Sequence, residues 1–278
     1  MAEGAKDRYG VMGYPVSHSR SPVIHRLFAA QTGQNIQYEL LQVAPDKLER
    51  AVLQFGRTGG KGLNITVPHK SEVVRLVDEM SERASNAGAV NTLQFLDGKI
   101  FGYNTDGIGF VRDLQSNQGV QLKNANILIL GAGGATRGII GPLLEAEPGS
   151  IVIANRTFPK ASGLADHFAS QGPVKACRFQ DVKSLPVYDL VINATSAGVK
   201  GETPPYPAEA IHPQTVCYDM SYGLTPTPFS HWAAEQGAAK SVMGWGMLVE
   251  QAAESFYIWR GVRPDTAAVL KQLTINAS

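Results

Sequence analysis

The stretch Ile127-Leu128-Ile129-Leu130-Gly131-Ala132-Gly133-Gly134-Ala135-Thr136 decides the fold. Four consecutive apolar residues are what a parallel strand covered on both faces requires. The glycines that follow let the chain turn tightly into a helix and bring bare backbone N–H groups close to an anion. A strand that runs directly into such a turn predicts a phosphate cradle for a dinucleotide, although Thr136 stands where G-x-G-x-x-G has its last glycine. Downstream, residues 151–154, 174–177, 190–192, 216–218 and 239–242 repeat the short apolar pattern, several of them separated by helix-length segments. That alternation predicts an α/β fold with a doubly wound, Rossmann-type parallel sheet.

The end of the next strand selects the cofactor. An NAD enzyme places an acidic residue there for the ribose 2′-hydroxyl. Here the segment reads Asn155-Arg156-Thr157-Phe158-Pro159-Lys160, with no carboxylate. Arg156 can grip a 2′-phosphate through its guanidinium fork and Lys160 adds a point charge, so the expected cofactor is NADP.

Working outward, the first third also alternates. Ser21 as N-cap, Pro22 at N1 and Gly33 past the end predict a helix that buries Ile24, Leu27 and Phe28. Strands are expected at 37–43 and 62–67 and a helix at 45–55, with another helix starting at His69 or Lys70. His69 is expected to be a half-exposed helix-start residue. Segments 91–95 and 99–103 predict a hairpin turned by Asp97-Gly98. Helices are expected at 246–259 and after Pro264. The polar segment 106–126 and the turn at 243–246 read as boundaries. They divide the chain into an α/β substrate domain (1–105), a dinucleotide domain (106–243) and C-terminal helices (244–278).

Composition excludes several classes. In 278 residues there are 25 basic and 24 acidic side chains, a net charge of +1 without a block of one sign, so no nucleic-acid or membrane partner is expected. Cys177 and Cys217 read as two lone buried thiols, the scattered histidines provide no metal site, and no apolar run is long enough to span a bilayer. The polar residues 1–7 hold no signal-peptide core, and a cytoplasmic protein that binds a small molecule is expected.

Reducing a ketone creates an alkoxide, which needs a proton donor within hydrogen-bond reach. Three polar strand ends converge on that need: Asn64-Ile65-Thr66-Val67-Pro68-His69-Lys70, Asn91-Thr92 and Asn104-Thr105-Asp106-Gly107. With these segments, the chain resembles the shikimate dehydrogenase family nearly end to end. The resemblance also rests on Ser17-His18-Ser19-Arg20-Ser21-Pro22, Gly88-Ala89-Val90-Asn91-Thr92, the glycine loop, Asn155-Arg156-Thr157, Asn193-Ala194-Thr195-Ser196, Tyr218-Asp219-Met220-Ser221-Tyr222 and Gly246-Met247-Leu248-Val249-Glu250-Gln251.

The resemblance implies two domains with a cleft between them and NADP-dependent, reversible reduction of 3-dehydroshikimate to shikimate, a step of chorismate and aromatic amino acid biosynthesis. It implies Lys70 as the acid/base and Asp106 as its partner. Ser19 and Ser21 are implied for the substrate carboxylate, and Thr66, Asn91, Tyr222 and Gln251 for further substrate contacts. Gly131, Ala132, Gly133, Gly134, Ala135, Asn155, Arg156, Thr157 and Lys160 fall to the cofactor, with Thr195, Met220 and Gly244 on its nicotinamide side. The chain departs from the family pattern at Met243, where an acidic residue is frequent, and at His69, where an apolar one is common. A broader quinate/shikimate dehydrogenase and a non-catalytic dinucleotide-binding regulator are the alternatives, and a homodimer is left open.

Overall fold

The computed structural model describes residues 5–184, 187–195 and 206–275. The chain divides into two compact units, one of residues 1–109 with 248–275 and one of residues 110–247. The sequence reading placed the breaks at 106 and 243–246.

The first unit is built on a mixed sheet ordered β2-β1-β3-β5-β6-β4. Its strands are β1 (Asp7–Gly13), β2 (Ile36–Gln42), β3 (Gly60–Ile65), β4 (Glu79–Met80), β5 (Thr92–Leu96) and β6 (Lys99–Tyr103). β1 pairs in parallel with β2 and β3, whereas β5 runs antiparallel to both β3 and β6. The β5–β6 hairpin turns at Asp97 and Gly98, both in the left-handed region (φ 52° and 77°), the primed turn that Asp-Gly favours.

Helix α1 (Ser21–Thr32) ends at Gly33 with φ 67°, as its sequence predicts. Its start differs: Ser21 is the first helical residue, the N-cap is Arg20 without a side-chain capping bond, and Ser19 Oγ accepts the Ser21 N–H at 3.3 Å. Residues 45–47 form a 3-10 turn before α2 (Leu48–Arg57). No α-helix starts at His69 or Lys70. The Lys70 carbonyl accepts the N–H of Val90 at 2.8 Å, which withdraws it from a helical ladder, and only a 3-10 turn follows at Glu72–Leu76. Helix α3 (Glu82–Ala87) is capped by Ser81, whose side chain accepts from the Ala84 N–H.

The polar segment read as a boundary contains the break between the units, after Gly109. It folds as helix α4 (Asp106–Arg112) and a π-helical turn (Asp113–Asn117), because Phe110, Leu114 and Leu122 drop into a core. Asp106 opens α4 from inside it instead of capping it, and Asn104 Oδ1 accepts the Asp106 N–H at 3.1 Å.

In the second unit β7 (Asn126–Leu130), β8 (Ser150–Ala154), β9 (Val174–Cys177), β10 (Leu190–Asn193), β11 (Val216–Asp219) and β12 (Lys240–Met243) form one sheet ordered β12-β11-β10-β7-β8-β9. Every pairing is parallel, which is the doubly wound arrangement, with its switch point between β7 and β10. Along β7, Ile127 and Ile129 enter one core with Ile139, Ile140 and Leu143 of α5 (Gly134–Glu145). Leu128 and Leu130 enter the opposite core with Val191, Cys217 and Phe229. Each such side chain contributes about 1.5–3 kcal/mol by leaving water, which is why the run contains no polar residue.

Helix α6 (Phe158–Phe168) follows β8, and α7 (Pro228–Glu235) follows β11. Helix α8 (Trp245–Arg260) crosses the chain break between the units. Its Val249, Ala252, Ala253 and Phe256 pack with Ile24 and Phe28 of α1 and with α9 (Thr266–Ile275). Both cysteines are free; Cys217 is buried and Cys177 only partly so. Among the described residues no helix is long and apolar enough to cross a membrane.

Candidate active site

Strand direction assembles the site. Because β5 is antiparallel to its neighbours, the end of β3, the start of β5 and the end of β6 fall at one edge: Asn64 lies opposite Thr92, and Thr92 opposite Tyr103. The three polar segments singled out in the sequence therefore meet there.

Lys70 Nζ donates to Asp106 Oδ2 at 2.5 Å, and the two side chains keep 31% and 19% exposure, enough for a small molecule to reach both. Asp106 Oδ1 accepts from Asn91 Nδ2 at 2.8 Å, so the carboxylate is held on both oxygens. Asn91 is itself fixed through Oδ1, which accepts the Thr105 N–H at 2.9 Å and the Thr92 hydroxyl at 2.9 Å. The network continues into buried neutral groups. Ser255 Oγ lies 2.8 Å from Thr92 Oγ1, and Asn64 Nδ2 donates to Ser255 Oγ at 3.0 Å; Tyr38 donates to Asn64 Oδ1 at 2.7 Å. Lys70 and Asp106 are thus the charged pair of an otherwise uncharged set of hydroxyls and amides.

Gln251, four residues before Ser255 on α8, accepts weakly from Asn91 Nδ2 at 3.4 Å. That approach depends on Gly109, where a Cβ would lie 2.5 Å from the Gln251 backbone nitrogen. Ser19 and Ser21 hydroxyls are 3.2 Å apart, Ser21 is buried and Arg20 is exposed. Thr66 is half-buried, its N–H bound to the Met12 carbonyl. The sequence reading missed Tyr38 and Ser255, and quoted Thr92 and Thr105 within its motifs without giving them a role. Ser255 carried a signal, since i and i+4 share a helix face.

His69 is not a half-exposed residue. It is buried, with Nε2 2.7 Å from the Val43 carbonyl, and its role is to tie the β3 exit to the β2 exit. His25 is the second buried imidazole, stacked on Tyr38 at 4.2 Å. Neither of its ring nitrogens makes a hydrogen bond of good geometry, and burial pushes its pKa down to about 3, with Asn64 opposing the shift. Below an unfolded value of about 6.5 the unfolded chain takes up a proton that the folded chain refuses, so this residue's stability contribution is lost as pH falls through that window. Urea unfolding between about pH 6.5 and 4.5 should show a slope approaching 1.4 kcal/mol per pH unit from this group. His25→Phe should flatten the profile by that amount; an unchanged profile would mean that His25 charges freely in the fold.

In the second unit, the glycine loop fits a pyrophosphate. Gly131 has φ 107°, and a Cβ there would meet the Ala194 carbonyl at 3.0 Å. Gly133 caps α5 without any side-chain hydrogen bond, and among the described residues a Cβ on Gly133 or Gly134 would meet nothing within 4 Å, so the loop leaves room for an anion there. Thr136 replaces the final glycine at no polar cost, because its buried hydroxyl donates to the Gly131 carbonyl at 2.9 Å. Ala132 and Ala135 complete the loop. Asn155 Nδ2 donates to the Thr157 carbonyl at 2.9 Å, leaving Arg156, Thr157 and Lys160 exposed.

At the ends of β10 and β11, Thr195 Oγ1 donates to Asn193 Oδ1 at 2.7 Å, and the Met220 N–H reaches the Asn193 carbonyl at 3.0 Å. Gly244 has no room for a side chain, since a Cβ would lie 2.5 Å from the Met220 carbonyl. Buried Asp219 sits beneath them, accepting from Asn193, the Ser221 N–H and Thr227; burial raises its pKa. The Tyr222 ring lies 4.7 Å from that of Trp245. Ser196, the last residue of the Asn193-Ala194-Thr195-Ser196 motif, lies outside the described residues.

Three family descriptions match along the chain: shikimate dehydrogenase substrate binding domain at 11–93, shikimate / quinate 5-dehydrogenase at 113–200, and shikimate 5′-dehydrogenase C-terminal domain at 244–274. The chain is 54% identical to the shikimate dehydrogenase (NADP(+)) of Alkalilimnicola ehrlichii, over 96% of its own length and 98% of the relative's. Among solved structures it is similar to an Ael1 enzyme from Pseudomonas putida, at 46% identity and TM-score 0.93 over 98% and 100% of the two chains. It is also similar to the Thermus thermophilus shikimate 5-dehydrogenase in complex with NADP(H) and shikimate, at 32% identity and TM-score 0.87 over 98% and 100%. The chain belongs to the shikimate dehydrogenase family.

Proposed function

We infer that this protein is an NADP-dependent oxidoreductase acting on a CH–OH group, reversibly reducing 3-dehydroshikimate to shikimate. The carrying observation is the Lys70–Asp106 pair, a charged acid/base couple fixed by Asn91 among hydroxyls and amides. A small acid with several ring hydroxyls needs many short polar partners, and each hydroxyl left unbonded in a dry site costs about 1–3 kcal/mol.

Bound NADPH supplies the hydride for the carbonyl carbon. Lys70 gives its proton to the oxygen that becomes the new hydroxyl, and takes one back in the reverse direction. Asp106 holds the ammonium and accepts from a neighbouring ring hydroxyl. Ser19 and Ser21 donate to the substrate carboxylate, while Thr66, Asn91, Tyr222 and Gln251 bond the ring hydroxyls. For the cofactor, residues 131–135 would take the pyrophosphate, and Asn155, Arg156, Thr157 and Lys160 the 2′-phosphate. Thr195, Met220 and Gly244 would line the nicotinamide. The reaction suits the cytoplasm, where NADPH is spent in biosynthesis, and all the groups named come from one chain.

Shikimate-dependent reduction of NADP, followed by nicotinamide absorbance, tests the reading; cofactor binding without turnover would overturn it in favour of a regulator. Arg156→Ala is expected to raise KM for NADPH about tenfold to a hundredfold, the loss of one charge-assisted contact, with little change for NADH. Equal effects on the two cofactors would place the 2′-phosphate elsewhere.

A further inference from the structure

We propose that Arg178 is a third reader of the cofactor's 2′-phosphate, a specificity residue beside Arg156 and Lys160. The proposal rests on the NADP reading of the 155–160 loop and extends it to the neighbouring strand. β8 and β9 are parallel with Ala154 opposite Cys177, and the Asn155 N–H donates to the Cys177 carbonyl at 3.3 Å. Residue 178 therefore leaves the sheet alongside residues 155 and 156, although it is distant from them in sequence.

The Arg178 side chain is placed as well as its backbone. Its Cζ lies 5.5 Å from the centroid of the Phe158 ring, and Phe158 is the first residue of α6. A guanidinium laid on an aromatic face keeps its N–H edges free for phosphate oxygens. The nearby carboxylate, Asp181, is engaged by the Arg178 main-chain N–H at 3.4 Å, and among the described residues the Arg178 guanidinium has no ion-pair partner.

The surroundings point the same way. The first turn of α6 has no acidic residue, and its cap, Thr157, makes no side-chain capping bond. Arg156, Lys160 and Arg178 are all exposed there. A phosphate monoester of charge about −1.5 to −2 calls for more than one cation, and in a chain of net charge +1 three such cations at one strand–helix junction are a local excess.

The test is calorimetric titration of the intact chain with adenosine 2′,5′-bisphosphate and with adenosine 5′-monophosphate. Arg178→Ala should weaken the bisphosphate about tenfold, leave the monophosphate within twofold, and reduce the salt dependence of bisphosphate binding. Arg178→Lys, which keeps the charge but loses the fork, should fall between. Unchanged bisphosphate affinity would overturn the proposal, and so would equal loss for both ligands, which would mean that Arg178 serves the adenine or the loop fold. Arg156→Ala, titrated in parallel, separates the two readings. If it weakens the bisphosphate and Arg178→Ala does not, only Arg178 is excluded; if neither does, the 155–160 loop is not the 2′-phosphate site.

Discussion

Lys70→Ala is expected to lower kcat by about 10²–10⁴, the span for removing one general acid/base group. The effect should fall on the chemical step, because the substrate keeps its carboxylate and hydroxyl partners when the amine is gone. The fold should survive. The pair retains 31% and 19% exposure, and partly solvated ion pairs contribute at most about 1 kcal/mol. Asp106 also keeps its 2.8 Å bond from Asn91 and a share of solvent, so no bare charge is sealed inside. Lys70→Arg separates charge from proton transfer: a guanidinium preserves the cation but does not give up its proton near neutrality, so that variant should stay slow. The measurement is saturating kcat of both variants beside their urea midpoints. Near-wild-type turnover of Lys70→Ala would remove Lys70 from the proton path, and slow turnover with a collapsed midpoint would assign the loss to the fold.

The second unit was legible because its signals are local. An apolar run, a glycine turn and a strand-end loop are each read within ten residues, and β7 with α5 forms where those signals predict. The Asp97-Gly98 hairpin was legible for the same reason. The misreadings arise where tertiary bonds override local pattern. The helix expected at Lys70 fails because Val90, far along the chain, occupies the Lys70 carbonyl. His69 reads as exposed until the Val43 carbonyl is brought to it. Of the site, the strand-end motifs were visible, whereas Tyr38, Ser255 and Arg178 enter only through register or helix face. Helix α3 was legible and passed over: Ser81 and Gly88 bracket it as cap and terminator.

Gly246→Ala is expected to destabilise the protein by about 3–5 kcal/mol, a large part of the roughly 5–15 kcal/mol that holds a domain together. A methyl at Gly246 would overlap Oδ1, Cγ and Oδ2 of Asp113. Asp113 is fully buried and cannot yield cheaply. Its Oδ2 accepts from Tyr218 Oη at 2.6 Å, and its Oδ1 accepts from Asn117 and Gln118 at 3.0 and 3.1 Å. Displacing the carboxylate would strand both it and the Tyr218 hydroxyl, whose pKa burial and Asp113 already hold well above the usual range. Helix propensity alone predicts the opposite sign, since alanine is favoured over glycine in a helix by about 1 kcal/mol. Gly163→Ala provides that comparison: it lies in α6, where among the described residues an added methyl would meet nothing within 4 Å, and should stabilise by about 0.5–1 kcal/mol. If overlap with Asp113 is the cause, Asp113→Ala should cost less in the Gly246→Ala background than in the wild type. Additive losses, or a Gly246→Ala protein as stable as the parent, would show that α8 can shift to admit the methyl.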